Sequence, residues 1–258
     1  MRCLRATLLL LTAVLSLGYA GLGSGKEAPP KIEPQAEHIL RQMSDFLKAQ
    51  PRFSFHIDTT FEALERGQKL QLSASTQVAV QRPDHLQVGV EGDTLQRQFW
   101  YDGTSITLLD VANNNYATAP ISGDLDTMLN RIQQRYGLDL PAADFVMSDP
   151  YKVLMEKVTS GFYAGLHKVQ GVSCHHLAFS QPDIDWQIWI EEGDKPAPRK
   201  LVITYKQIRQ MPQYTGLYSQ WNFAPEFSAN QFTFTPPEKA EKIDFLPKPL
   251  AAAKKKTK

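Results

Sequence analysis

The sequence predicts an α+β protein that is mainly antiparallel β, with a strongly curved, barrel-like sheet of about eleven strands and three or so helices at its open side. Three observations predict this fold class. Apolar and polar side chains alternate through most of the chain, which is the period of half-buried antiparallel strands. Shorter stretches carry apolar side chains at the helical period. A twisted sheet of more than about ten strands tends to curl or close, and amphipathic helices need an apolar surface to cover.

The composition supports a folded chain and excludes two classes of protein. The 258 residues are 42% hydrophobic and 21% charged, which is enough for a sizeable core. Lys and Arg number 28 against 27 Asp and Glu, so the chain lacks the basic excess of a protein that binds nucleic acid. Only the N-terminus has an uncharged stretch near the roughly 20 residues that span a bilayer, which excludes a protein with several membrane spans.

The N-terminus has the three parts of a secretory signal peptide. Arg2 and Arg5 precede an apolar run, Leu8–Leu17, and small residues follow up to Ala20. We therefore predict a signal peptide over residues 1–20, cleavage after Ala20, and a periplasmic protein that is not integral to the membrane. The alternative is an uncleaved anchor, because no charged residue stands between Arg5 and Lys26.

The remaining chain divides into three parts. Residues 21–33 are rich in Gly and Pro and predict a flexible linker. Residues 34–246 predict a single curved-sheet, half-barrel domain. Residues 247–258 form a Lys-rich tail that is predicted to be disordered.

The domain is predicted to open with one helix and about six strands. A helix begins near Pro34, carries apolar side chains at helical spacing, and ends at Pro51. Alternation then predicts strands, and Asp102-Gly103 is typical of a two-residue hairpin turn. The predicted strands cover residues 53–61, 70–80, 86–90, 95–101, 104–110 and 116–119.

The second half is predicted to contain helices followed by more strands. Helical spacing from Leu125 to Tyr136 ends at Gly137, a typical residue after a helix, and Asp149-Pro150 begins a shorter helix. Residues 138–146 between them are predicted to be irregular or helical. Alternation then predicts strands over residues 161–169, 172–181, 184–192, 199–207 and 214–223, with a short one at 231–235.

Cys174, His175 and His176 are the residues closest to a metal or nucleophile pattern. On a strand, Cys174 and His176 share one face and His175 lies on the other, so two ligands face one way where zinc needs three or four. We interpret the histidines as structural and Cys174 as a buried thiol. The chain has no nucleophile elbow, P-loop, dinucleotide fingerprint or paired-His helix, so we predict no enzyme, no metal and no cofactor.

Several motifs, in order, resemble a bacterial family of periplasmic proteins of unknown function. The resemblance extends from about Pro34 to Phe245. It is carried by Tyr101–Thr104, Leu140-Pro141 with Ser148–Tyr151, Cys174–Phe179, Asp185–Ile190 and Pro198–Tyr205. That family is similar in turn to the lipoprotein-carrier (LolA/LolB-like) fold group, whose fold is an unclosed antiparallel barrel capped by helices. The resemblance implies a hydrophobic cavity between sheet and helices, but it carries over no binding residue.

These observations favour a non-enzymatic protein that binds a lipid or lipoprotein acyl group in such a cavity. The apolar stripe of the middle helix is the hypothetical lining: Leu125, Met128, Leu129 and Ile132. The alternative is an envelope sensor or scaffold with a filled core, which acts through an envelope protein partner and binds no ligand. A continuous apolar cavity of a few hundred Å³ would favour the first hypothesis.

Overall fold

The computed structural model describes residues 31–140 and 142–245. Within them the chain forms four helices and twelve strands. The helices are α1 Pro34–Lys48, α2 Leu125–Tyr136, α3 Ala143–Val146 and α4 Pro150–Met155. The strands are β1 Arg52–Glu65, β2 Gln68–Gln81, β3 His85–Gly92, β4 Gln96–Asp102, β5 Ser105–Asp110, β6 Asn115–Pro120, β7 Ser160–Val169, β8 Val172–Ser180, β9 Ile184–Glu191, β10 Pro198–Tyr205, β11 Gln213–Asn222 and β12 Glu241–Lys242.

All twelve strands belong to one unclosed sheet, in the order β12-β6-β5-β4-β3-β2-β1-β11-β10-β9-β8-β7. Every neighbouring pair is antiparallel except β6 and β12. The chain forms one meander from β1 to β6, crosses to the opposite edge, and returns in a second meander from β7 to β11. Because β6 and β7 lie near opposite edges, the segment that joins them must cross the sheet, and α2, α3 and α4 form that crossing.

The helices cover the face of the sheet that alternation predicts to be apolar, which we call the inner face. Its side chains form one hydrophobic core with α1, α2 and the residues around α3. Phe53, Phe55 and Ile57 of β1 are at most 1% exposed, as is Tyr218 of the neighbouring β11. The predicted fold class, a mainly antiparallel unclosed sheet covered by a few helices, is confirmed.

The predicted end of α2 at Gly137 and the predicted start of α4 at Asp149 are also found, and α2 begins at a cap that the sequence analysis did not predict. The Asp124 carboxylate accepts a hydrogen bond from the backbone N–H of Thr127 at 2.8 Å and caps α2. Gly137 ends this helix in the left-handed region at φ 66°, where a side chain would be strained. The Asp149 carboxylate caps α4 through the N–H of Lys152 at 3.0 Å.

The prediction of a strand at residues 231–235 is wrong. This segment has no ladder partner and lies against the outer side of the sheet, where its aromatic side chains contact other rings. Phe234 contacts Trp100 and Tyr116, with ring centroids 5.0 and 4.9 Å apart. The alternation therefore reflects aromatic contacts on one side of an extended segment. The last strand comes later, at β12, and pairs in parallel with β6.

The predicted signal peptide, nearly all of the linker, and the predicted tail lie outside the described residues. Within the described ranges, no helix has both the length and the apolar character that a membrane span requires. Phe245, at the end of the second range, contacts Tyr136 of α2 with ring centroids 4.4 Å apart. The segment after β11 thus runs along the outer side of the sheet, passes the edge near β6, and ends against the helices on the inner side.

Candidate functional site

A cavity of about 390 Å³ lies between the inner face and the segment around α3. Strands β1, β2, β3, β10 and β11 supply its sheet side, and residues 139–140 and 142–145 supply the opposite side. Most lining side chains are apolar. The lining residues are Thr59, Phe61, Ser73, Ala74, Thr76, Val90, Gly92, Thr94, Leu95, Asp139, Leu140, Ala142, Asp144, Phe145, Leu201, Ile203, Tyr205, Tyr214 and Tyr218.

The local geometry of β11 brings two tyrosine hydroxyls together at the cavity. Tyr214, Gly216 and Tyr218 alternate on the inner face, and a Cβ at Gly216 would lie 3.1 Å from the Tyr214 hydroxyl and 3.3 Å from that of Tyr218. The absence of a side chain at Gly216 therefore leaves room for both hydroxyls. Burial raises the pKa of Tyr214 and raises that of Tyr218 still further, so both phenols stay neutral at physiological pH.

Two carboxylates complete the polar part of the cavity. Asp139 is exposed at its rim, whereas Asp144, in the first turn of α3, is half-buried. Burial raises the pKa of Asp144, and the negative charge of Asp139 adds to this effect. Within the described ranges no donor forms a hydrogen bond with the Asp144 side chain. Asp144 is thus a half-buried acid that receives no hydrogen bond from the described residues.

A second depression of about 220 Å³ adjoins the first at Asp144, Leu201 and Ile203. Trp186 lines it and is 3% exposed. The indole N–H of Trp186 is buried and has no hydrogen-bond partner among the described residues. Asp144 therefore faces two adjoining spaces, one mainly apolar and one with polar groups.

Other depressions of 450 to 480 Å³ are lined mostly by polar or charged side chains. The largest of these lies at the N-terminal ends of α2 and α4 and includes Lys48, Asp126 and Lys152. Binding sites for apolar ligands are lined mainly by hydrophobic side chains with a few polar groups. By that criterion the cavity beside α3 is the candidate site.

The four residues predicted to line a cavity are brought together, but in the core of the protein. Leu125, Met128, Leu129 and Ile132 lie on the buried side of α2 and are 6% exposed or less. The cavity beside α3 is lined by other residues. A ligand-binding role of these four side chains stays a prediction.

The Cys174 thiol is buried and donates a weak hydrogen bond to the Val172 carbonyl, with a distance of 3.4 Å between sulfur and oxygen. Burial raises its pKa, which disfavours the reactive thiolate. Its position agrees with the interpretation as a small buried side chain.

His176 lies on the face opposite the core and takes part in a stack across the strands. Its ring lies 3.9 Å from Trp189, and the Lys200 ammonium lies 4.7 Å from the same indole. The His176 Nε2–H donates to the Gln187 side-chain oxygen at 3.0 Å, and the two Nδ1 atoms of His176 and His167 are 2.9 Å apart. Burial lowers the pKa of His176 and favours the neutral ring. Each of these contacts is one that a structural histidine makes.

Sequence reasoning did not assign a role in the site to the α3 segment or to the β11 tyrosines. Residues 138–146 have no clear period, so no face could be assigned to Asp144. The tyrosines did have a signal, because Tyr214 and Tyr218 flank Gly216 at the strand period and so share one face. The sequence does not show that this face borders a cavity. The cavity forms because β11 pairs with β1, and these two strands are far apart in sequence.

The sheet, the crossing helices and the cavity between them define the class of protein: an unclosed, mainly antiparallel sheet covered by helices. Residues 36–246 match the model of the family described as "Predicted periplasmic protein (DUF2092)". The chain belongs to this family. No curated protein sequence matches the chain.

Solved structures from several bacteria are similar to this chain over most of their length. An uncharacterized conserved protein from Thermus thermophilus has 10% identity and a TM-score of 0.49, covering 81% of this chain and 99% of that one. LprF from Mycobacterium bovis has 14% identity and a TM-score of 0.43, covering 78% and 99%. A LolA superfamily protein from Nitrosomonas europaea has 11% identity and a TM-score of 0.39, covering 77% and 97%.

Proposed function

We propose that this chain is a periplasmic, non-enzymatic protein that binds a lipid or lipoprotein acyl group in the cavity beside α3. The observation that carries the proposal is the mainly apolar cavity of about 390 Å³ between the inner face and the segment around α3. This volume lies in the lower part of the range of about 300–1,000 Å³ typical of small-molecule sites. It is suited to one chain or one small amphiphile.

The magnitude of apolar burial supports an acyl ligand. Each buried methylene contributes about 0.8 kcal/mol, so a chain that buries ten contributes about 8 kcal/mol. Association costs about 4–15 kcal/mol in lost freedom of motion. The chain alone therefore offsets much of this cost but leaves little excess, and the polar groups of the cavity become important for affinity.

Export is part of the proposal, because an acyl carrier of the envelope must reach the periplasm. The family is one of predicted periplasmic proteins. We propose that the signal peptide is cleaved after Ala20, which makes Gly21 the first residue of the mature protein. Intact-mass measurement of protein released by osmotic shock tests this, and a membrane-bound form that retains residues 1–20 would contradict it.

A variant that fills the cavity tests the function directly. Ala74 lies on the inner face of β2 and lines the cavity, whereas Ser75, the next residue, is exposed and points to the other side of the sheet. We expect saturable binding of a fluorescent fatty-acyl probe to the wild type and to Ser75→Phe, and its loss in Ala74→Phe. Ala74→Phe should keep its free energy of unfolding to within about 1 kcal/mol, because the ring occupies existing space.

Two outcomes would overturn the acyl-binding proposal. The first is wild-type protein that shows no saturable binding of any acyl probe. The second is Ala74→Phe that binds as the wild type does, since the cavity would then not be the site.

A protein–protein role is the second candidate, and the edge strand β7 favours it. Phe162 and Leu166 of this strand are 52% and 50% exposed. Residues 31–33 bond the backbone of Gly161 and Tyr163, and beyond them an edge strand offers free backbone groups to another chain. An envelope sensor or scaffold would use this edge and show no binding of acyl probes. The wild-type arm of the experiment above separates the two candidates.

A further inference from the structure

The distribution of charge in the cavity beside α3 is one-sided. Its described lining includes two carboxylates, Asp139 and Asp144, and three tyrosines, Tyr205, Tyr214 and Tyr218. None of the described lining residues is Lys, Arg or His. The basic side chain among the described residues that line the adjoining depression is Lys157, which is exposed beside Glu156.

From this arrangement we infer that the ligand is an amphiphile whose polar head group carries a protonated amine, and that Asp144 pairs with this amine. The inference rests on the proposed function, because it names the head group of the molecule whose chain occupies the cavity. Fatty acids and other anionic amphiphiles are the class that this site disfavours.

The two carboxylates at the cavity support the choice of a cation. A ligand carboxylate or phosphate would lose water and also face the negative charges of Asp139 and Asp144. An ammonium group would instead supply the donors that Asp144 lacks, in a charge-assisted hydrogen bond. The same group would find tyrosine hydroxyl oxygens as acceptors and tyrosine rings as cation–π partners.

The affinity for an amine should depend on pH, because Asp144 is a group near the cavity that changes its charge. Burial raises the pKa of Asp144, so part of the population carries a proton there when pH is low. The pKa values of Tyr205, Tyr214 and Tyr218 are raised by burial, so these phenols keep their protons across the neutral range. Binding of an ammonium group requires the ionised form of Asp144 and so releases a proton. Affinity for an amine should therefore rise with pH until Asp144 is fully ionised.

Three probes of equal chain length test the head group: dodecylamine, dodecanol and dodecanoate, each measured by displacement of a bound fluorescent acyl probe. We expect wild-type protein to bind dodecylamine about tenfold or more tighter than dodecanoate, with dodecanol between them, because one charge-assisted hydrogen bond has about this effect. Asp144→Asn should reduce the ratio of amine to alcohol affinity towards one. Asp45→Asn, which removes an exposed carboxylate of α1, should keep the wild-type ratio.

The outcomes separate failure of this inference from failure of the proposed function. If the wild type does not bind the fluorescent acyl probe, the cavity does not hold apolar chains and both are overturned. If the acyl probe binds and dodecylamine does not displace it, only the amine inference is overturned. If dodecanol and dodecanoate bind the wild type as tightly as dodecylamine does, the acyl site stands and the amine inference is wrong. A preference for dodecylamine that persists in Asp144→Asn would also contradict the assignment of Asp144.

Discussion

Arg82 and Met147 connect the sheet to the helical segment that covers the cavity. The Arg82 Nη2 group donates a hydrogen bond to the Met147 carbonyl oxygen at 3.0 Å, across 65 positions of sequence. Arg82 follows β2, and Met147 follows α3, which carries Asp144. The Nε–H of Arg82 is buried with no partner in the described ranges, and burial lowers the pKa of the guanidinium. This hydrogen bond therefore holds the end of α3 next to the sheet, although it leaves the Arg82 cation poorly solvated.

Arg82→Met should loosen the cover of the cavity. Methionine keeps most of the apolar stem and removes the donor, so we expect faster amide hydrogen exchange over residues 143–147 and a loss of about 1 kcal/mol in stability. Arg209→Met, at an exposed position, is the matched control. Unchanged exchange over 143–147 in Arg82→Met would show that the hydrogen bond does not hold the cover.

Asp144→Asn should stabilise the protein at neutral pH. Burial raises the folded-state pKa of this acid, so the folded protein binds more protons than the unfolded chain between pH ~4 and that pKa. Wild-type stability should therefore fall as pH rises through this window, and the variant should lack that part of the fall. We expect a gain of about 1 kcal/mol at pH 7 and little at pH 4, measured by urea denaturation. A loss of stability at pH 7 would mean that the carboxylate has a partner in the folded protein.

The elements of this fold could be predicted because their signals are local. Alternation identified the strands that border the cavity, and Gly137 and Asp149 marked helix ends through their own capping geometry. The order of the strands could not be predicted, because β1 pairs with β11 across more than 150 residues and no local pattern specifies that pairing.

The position of the candidate site could not be predicted for the same reason, because it depends on contacts between distant parts of the chain. The stripe of α2 was a correct prediction of a buried helix face, yet a buried face does not show where space remains. Space depends on how several elements meet, and α3 has only four residues. Asp144 in this short turn borders the cavity because the crossing from β6 to β7 places it there.

Ala142→Gly should relieve backbone strain beside the cavity. Ala142 precedes α3 in the left-handed region, at φ 57°, where a Cβ costs roughly 1–2 kcal/mol. Glycine removes this cost but adds freedom to the unfolded chain, so we expect a net gain of up to about 1 kcal/mol by denaturation. Gly137→Ala, at φ 66° after α2, is the reciprocal control and should lose about as much. A destabilised Ala142→Gly would show that the methyl contact in the cavity outweighs the strain.

Cys174→Ala should cost about 1 kcal/mol and leave acyl binding unchanged. The thiol is fully buried, and its pKa is raised by burial, so its contribution is that of a small apolar side chain. The same geometry predicts that a thiol reagent reacts with the wild-type protein only after unfolding. Stoichiometric zinc in the wild type, lost in both Cys174→Ala and His176→Ala, would contradict the structural assignment.

Ile132→Trp tests whether α2 also borders ligand space. Ile132 is fully buried in the core formed by α2 and the inner face, and a larger side chain there should cost about 1–3 kcal/mol because it must displace neighbours. Ala74→Phe adds a ring at the cavity itself and should be nearly neutral for stability while it abolishes binding of the acyl probe. The expected pattern is therefore loss of stability with binding retained in Ile132→Trp, and the reverse in Ala74→Phe, measured by urea denaturation and probe titration. If Ile132→Trp keeps full stability and loses probe binding, the acyl chain extends beneath α2, and the predicted lining of Leu125, Met128, Leu129 and Ile132 is part of the site.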